Sequence, residues 1–265
     1  MPWQNSRLSL LGWGLFQVAA YFVLALPSLV IIGASLNPTS TFSFPPRGLT
    51  LAWYMKAMET PAFTDSFLLS VELACLATAL SLLAGTPAAY ALQRYRLPGL
   101  QSLHSLLLSP IVIPAIVLGI GLLMFANLIG IGQGLAALLL GHFVLTLPYV
   151  VRTLISSFSL FDVVLEEAAQ SLRASRPVVW FRVILPNIIP GLLSAAIFAF
   201  VTSFGNVALS IFLVSGSAAT LPVQMFAAVE HSSDPTLAAV ATFVILITGG
   251  IVLCIDQLAN LQRLI

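Results

Sequence analysis

Glu166-Glu167-Ala168-Ala169-Gln170-Ser171-Leu172-Arg173-Ala174-Ser175, with Val183-Ile184-Leu185-Pro186 a little further on, is a polar stretch held between the fourth and fifth of the chain's long apolar runs. Asp162, Glu166 and Glu167 place acids towards the start of a helix, where the dipole is positive, and Ala168-Ala169 give that helix a smooth face; the helix is expected over residues 162–172. Ser175 suits an N-cap and Pro177 a first turn, where its missing N–H has no partner to lose. A second short helix is therefore expected to run through about Ile184 and to end at Pro186. Val178, Val179, Trp180, Phe181 and Val183 are too apolar for a solvated turn, so some of them meet a partner or the lipid interface. Two short helices meeting at a bend give a soluble partner something to grip; an ordinary connecting loop is the other reading.

What surrounds this loop is membrane sequence. Of 265 residues, 59% are hydrophobic and 7% charged, and mean hydropathy is +1.06. Soluble domains carry about 25% charged residues, so the chain reads as a polytopic membrane protein. A span takes about 20 mostly apolar residues, and six runs qualify, at 10–35, 67–92, 103–128, 134–155, 188–214 and 237–258. Backbone in hydrocarbon must satisfy its own hydrogen bonds, and continuous apolar runs rather than short alternating ones mean helices, not a barrel. The fold class is all-α, an integral membrane protein of six transmembrane helices. Pro27, Pro87, Pro110, Pro114, Pro148, Pro190 and Pro222 lie near membrane depth and each removes a backbone donor, as kinked helices along a transport path would.

With a cytoplasmic amino terminus, Arg7, Arg94, Arg96, Arg152, Arg173, Arg176, Arg182 and Arg263 lie inside, and only Arg47 and Lys56 outside. The positive-inside rule selects that orientation, with both termini cytoplasmic and the first span kept as an anchor. Residues 1–36 then form the first helix, 37–64 a periplasmic segment, 65–258 a transmembrane domain carrying the loop at 157–187, and 259–265 a cytoplasmic tail. A further outer segment, 215–235, is expected to hold a short helix at about 222–229, touching a receptor or plugging the path.

Several functions drop out. Net charge is +1, which offers no basic field for nucleic acid. A nucleotide-binding phosphate loop needs lysine after its glycines, and the sole lysine, Lys56, follows Ala52-Trp53-Tyr54-Met55. Cys75 and Cys254 sit in apolar runs as small hydrophobes, and His104, His142 and His231 lack partners at ligand spacing, so no metal site is expected.

In its loop the chain resembles the membrane-spanning permease subunits of binding-protein-dependent ABC importers of type I. Their signature is E-A-A, three residues, G, nine residues, I-x-L-P, and Glu167-Ala168-Ala169, Arg173 and Val183-Ile184-Leu185-Pro186 keep that spacing. Val183 stands for the family's Ile, a conservative change, and Arg173 for its Gly. Glycine tolerates φ > 0 at a bend, so either the bend is right-handed here or the joint between the helices is altered. The resemblance covers about residues 50–258, through Thr50-Leu51-Ala52-Trp53-Tyr54, Asp65-Ser66-Phe67, Gly85-Thr86-Pro87-Ala88-Ala89-Tyr90-Ala91-Leu92 with Arg94-Tyr95-Arg96, Ser109-Pro110-Ile111-Val112-Ile113-Pro114, and Thr220-Leu221-Pro222-Val223 followed by Asp234-Pro235-Thr236. It is nearest to the spermidine/putrescine branch with its opine and aminoethylphosphonate relatives.

The resemblance implies a heteromeric importer in the bacterial inner membrane: this chain, a second permease subunit, two ATP-binding cassette subunits and a periplasmic solute-binding protein. It implies no cofactor on this chain, with ATP and Mg on the partner ATPase. Coupling to that ATPase would fall to Glu166, Glu167, Ala168, Ala169, Leu172, Arg173, Ala174, Ser175, Trp180, Leu185 and Pro186, with Glu167 and Trp180 seated in the partner's groove. For the translocation path the candidates are Glu72, Ser203 and Asn206. An acid within a span costs at least roughly 2.5 kcal/mol unless paired or hydrated, so Glu72 either faces a watery path or accepts bonds from nearby hydroxyls as a structural plug. Polyamine-type relatives often carry an acid in the fifth span, where Gly205-Asn206 is neutral, which keeps opines and amino phosphonates open beside polyamines. An ion-coupled secondary carrier, a permease for another small solute such as thiamine or ferric iron, and an integral-membrane enzyme are the competing readings; the first would show inverted repeats and the last a polar cluster at one face, and neither is visible.

Overall fold

The computed structural model describes residues 7–40, 44–216, 218–231 and 234–262, with no β-strand among them. The side chains of His231 and Cys254, together with Arg263 and the rest of the tail, lie outside the described residues. In chain order the helices are α1 (Arg7–Ser35), α2 (Ala52–Glu59), α3 (Pro61–Arg94), α4 (Leu100–Val112), α5 (Ala115–Leu128), α6 (Leu135–Leu160), α7 (Val163–Ser171), α8 (Arg176–Val179), α9 (Leu185–Phe204), α10 (Ser210–Leu213), α11 (Leu221–His231) and α12 (Thr236–Gln262).

Five helical stretches are long and apolar enough to cross a membrane: Gly12–Ser35, Pro61–Arg94, Leu135–Leu160, Arg176–Phe204 and Thr236–Leu253. The third expected span is not one straight helix. It is the pair α4 and α5, bent by 111°. Ile113, placed before Pro114, is pushed out of the helical region to φ −79°, ψ 127°, and Pro114 then starts the next helix.

The fifth expected span is also corrected at both ends. The second loop helix does not stop at Pro186; α8 continues through a π-turn, Trp180–Ile184, directly into α9. The Leu185 N–H reaches Trp180 O across this wider turn, which makes room for a ring that has no N–H to give. At the other end α9 stops at Phe204, and a break separates it from the single turn of α10.

The described residues form two compact units, one from residues up to 64 with 228–249, the other from 65–227 with the chain from 250 onward. In the first, the most apolar stretch of α1 holds no fully buried residue and is left largely to lipid or another subunit, whereas Ala34 and Ser35 at its end are buried. Helix α2 lies within the 37–64 segment between the first two spans. It is pinned to the end of α1 by the Trp53 indole N–H, which donates to Asn37 O at 2.8 Å, and by a 2.6 Å bond between the Tyr54 and Ser35 hydroxyls. Lys56 pairs with Asp234, whose other oxygen accepts from the Thr236 N–H and hydroxyl at the start of α12.

In the second unit α6 packs along α9. Gly191 lets the two backbones approach, since a Cβ there would collide with Ser157, the small-residue contact that membrane helices use in place of a hydrophobic drive. One buried cluster joins Ala89 of α3, Val150, Leu154 and Phe158 of α6, Val179 of α8, Ile184 of the π-turn and Ile188 and Ala195 of α9. The expected outer helix is present as α11, whose first residue, Leu221, donates its N–H to Ser70 of α3 at 2.7 Å.

Candidate functional site: the two-helix loop and its seat on α3

Helix α7 begins as its residues dictate. Asp162 is the N-cap, accepting from the Val164 N–H at 2.9 Å. One turn on, Glu166 points inward and is buried, while its neighbour Glu167 is exposed. The buried carboxylate accepts from the Tyr90 hydroxyl and from the Gln170 amide, both at 3.1 Å, and lies 3.4 Å from the Arg94 guanidinium. Tyr90 and Arg94 stand one turn apart at the end of α3, so both reach the same carboxylate. Arg94 is also 3.8 Å from Glu167, a solvated and looser pair.

The helix closes on Arg173. Its φ is +61°, and it is the only described residue other than glycine with positive φ. The Arg173 N–H bonds to Gln170 O at 2.9 Å and the Ala174 N–H to Ala169 O at 3.1 Å, the paired bonds of a Schellman motif. Ala169 and Ala174 pack on the same buried cluster, supplying the apolar contact that goes with it. Arg173 thus adopts the left-handed geometry for which glycine is suited, and the joint between the two helices is kept.

Trp180 does not project outward as a free anchor. Its ring meets Tyr90 edge-on with centroids 5.0 Å apart, and Tyr90 in turn meets Phe158 at 5.5 Å. Around this stack lies a cavity of about 540 Å³ lined by Tyr90, Arg94, Glu166, Arg176 and Trp180 among others. Outward positions belong to Glu167, Ala168, Leu172, Arg173, Ser175, Phe181 and Pro186; Leu172 is 85% and Phe181 65% exposed, large apolar side chains on an otherwise polar turn. Leu185 is half-buried against the cluster. The sequence signal that Tyr90, Arg94 and Phe181 belong to the site was their presence in the matched patches and in the apolar run of the loop.

The other three candidates lie apart from the loop. Ser203 is buried and bonded to His142 at 2.7 Å, and Asn206 is half-buried in the break after α9. Glu72 is exposed on α3 and has no hydrogen bond or ion pair among the described residues, so no described hydroxyl plugs it. No group of metal-ligating side chains occurs among the described residues.

Comparison with known proteins finds similarity both of sequence and of fold. The family described as Binding-protein-dependent transport system inner membrane component matches residues 14–263. The spermidine/putrescine transport system permease protein PotC is 31% identical in Haemophilus influenzae over 89% of this chain and 92% of that protein, and 30% identical in Escherichia coli over 93% of each. The Escherichia coli putrescine transport system permease protein PotI is 30% identical over 83% of this chain and 80% of its own length. A bacterial ABC transporter importing the acidic polysaccharide alginate superposes with a TM-score of 0.73 at 16% identity, over 97% of this chain and 98% of that one. The inward-facing MetNI methionine transporter gives 0.63 at 18% identity, over 80% and 98%.

Proposed function

Because this chain belongs to the family of binding-protein-dependent transport system inner membrane components, multi-pass permease subunits of ABC importers, we propose that it forms half of the translocation path of an ATP-driven importer for a small amine-type solute: a polyamine, an opine or an amino phosphonate. In this reading a periplasmic binding protein delivers the solute, a second permease completes the path, and two ATP-binding cassette subunits hydrolyse ATP with their own Mg. The loop faces the cytoplasm, as do both termini.

The observation that carries the reading is the division of labour in the loop. Glu166 is tied inward to Tyr90 and Arg94 of α3, while Glu167, Leu172 and Phe181 are left outward. An exposed carboxylate beside two apolar side chains is what a basic, partly apolar groove on a soluble ATPase would accept. Helix α8 has no break before α9, so force on the loop acts on the fifth span as well as on α3. Moving a two-state path from 1:99 to 99:1 takes about 5.5 kcal/mol, which ATP binding supplies and a few loop contacts do not. The amine-type solute follows from the PotC and PotI relatives and from the exposed Glu72, which would attract a cationic amine.

The test is reconstitution of the purified assembly in liposomes, with ATP-dependent uptake of labelled putrescine, spermidine, an opine and 2-aminoethylphosphonate. Uptake of one solute, lost in Glu167→Lys while the assembly stays intact, is the expected result. Uptake that follows an ion gradient with no ATPase retained would replace this reading with a secondary carrier.

A further inference from the structure

The break in the fifth span is held from one side by a single imidazole. His142 on α6 is 1% exposed, and its two ring nitrogens reach the two ends of the break: Nδ1 meets Ser203 Oγ at 2.7 Å, in the last turn of α9, and Nε2 meets Ser210 Oγ at 2.9 Å, at the first residue of α10. The bonds have one consistent direction. The Ser210 hydroxyl donates to Asn206 O at 2.8 Å, so its oxygen accepts from Nε2–H. Nδ1 of the neutral ring then accepts from the Ser203 hydroxyl. The imidazole is fixed from behind as well, since the Thr146 hydroxyl donates to His142 O at 2.7 Å and pairs with Ser81 of α3.

Asn206 sits between the two clasped ends. Its Oδ1 accepts from the Leu209 N–H at 2.9 Å. A backbone N–H can only donate, which identifies that atom as the oxygen and leaves Nδ2 with its two N–H groups. Those N–H groups have no acceptor among the described residues, and the preceding residue, Gly205, is exposed and carries no side chain. A protonated polyamine carries N–H donors and no lone pairs, so it would meet this amide donor to donor. A carboxylate, phosphonate or carbonyl oxygen would be accepted.

We propose that His142 is a positioning residue that clasps Ser203 and Ser210 across the break and so aims the Asn206 amide N–H groups at an acceptor oxygen of the solute, which makes the cargo an amine that also bears a carboxylate or phosphonate. This rests on the importer reading above and narrows its solute class; Glu72 is then left to the amine end.

The complete transporter in liposomes tests it, with 2-aminoethylphosphonate, an opine and spermidine as probes. The unaltered complex takes up one of the oxygen-bearing amines with a lower KM than spermidine, and Asn206→Asp, which replaces donors by acceptors, reverses that order. His142→Leu raises KM for the oxygen-bearing solute by about tenfold, the worth of roughly one lost hydrogen bond, with kcat changed less than about twofold. In an Asn206→Ala background the same change adds nothing, because its target is gone. Ser210→Ala is the milder variant should His142→Leu fail to assemble, and His142→Gln, which keeps a donor and an acceptor, restores part of the loss. Lower KM for spermidine in the unaltered complex, or additive effects of His142→Leu and Asn206→Ala, overturns the proposal. Hydrogen exchange at the 207–211 amides judges the clasp without transport: His142→Leu speeds it by about tenfold if the clasp holds the break, and unchanged exchange refutes it. If nothing is taken up with ATP, the importer reading fails on its own while exchange still decides the clasp.

Discussion

Arg173→Gly should tighten the loop. A left-handed conformation costs an L-residue about 1–2 kcal/mol that glycine does not incur, and Arg173 holds it with φ at +61°. Glycine gives back about 0.4–1 kcal/mol through the greater freedom of the open chain. The Arg173 side chain is exposed and makes no ion pair with a described residue, so little else changes with it. The net is about 0.5–1 kcal/mol in favour of glycine, a two- to fivefold drop in local opening. Hydrogen exchange reads it directly, since the Ala174 N–H is held on Ala169 O and is freed only when the bend opens. Exchange at Ala174 should slow two- to fivefold in Arg173→Gly, change little in Arg173→Asn, and quicken in Arg173→Val, whose branched side chain resists positive φ. Faster exchange in the glycine variant would refute the left-handed bend and return the joint to right-handed geometry.

Glu166 and Glu167 should differ sharply although they are neighbours. Glu166→Ala strips the buried partner of Tyr90 and Arg94 and should cost about 2–3 kcal/mol, at the lower side of a broken buried pair because Arg94 reaches water; Glu167→Ala should cost less than about 0.5 kcal/mol. Thermal unfolding of the detergent-purified assembly compares them, and equal losses would deny the inward role of Glu166. Near Asp234, burial raises the carboxyl's pKa, but the hydrogen bond from Lys56, the Thr236 N–H and hydroxyl, and the Lys56 charge together outweigh it and hold the group below its ordinary 3.8. A depressed folded value means stability that is present above the ordinary value and lost as pH falls through the depressed one. Asp234→Asn should therefore remove a destabilisation seen below about pH 4, and an acid limb that is identical in the variant would count against the Lys56 pairing.

The spans were legible because a run of about 20 apolar residues has few alternatives, and the start of α7 because Asp162 caps it by contact with its own neighbour Val164. Local chemistry was enough in both cases. It was not enough at Pro186, where a missing N–H is equally consistent with a stop and with a wider turn, and the choice fell to Ile184 and Ile188 packing in one cluster as parts of one continuous helix. The bend between α4 and α5 was signalled by Pro114, but its angle of 111° was not. Most of all, which glutamate turns inward depends on Tyr90, 76 residues earlier in the chain. The contact of Trp180 with Tyr90 was hidden for the same reason, since it joins residues far apart in the chain.

These long-range ties decide how the loop can act. A loop joined to its spans only through flexible chain would absorb a push by bending. Here α7 is bonded sideways to α3 through Glu166, Tyr90 and Arg94, and α8 passes its motion along an unbroken helix to α9. The yielding point is therefore displaced to where the helix stops, the break between Phe204 and Ser210. That break is neither loose nor fully paired: His142 holds its two ends, and Asn206 keeps its amide N–H groups without an acceptor among the described residues. On the proposal made above, a rigid lever that ends at a clasped break carrying open donors would concentrate displacement where the solute is bound or released. A more flexible joint at Arg173 or at the π-turn would spread the same displacement along the loop and reach the break with less.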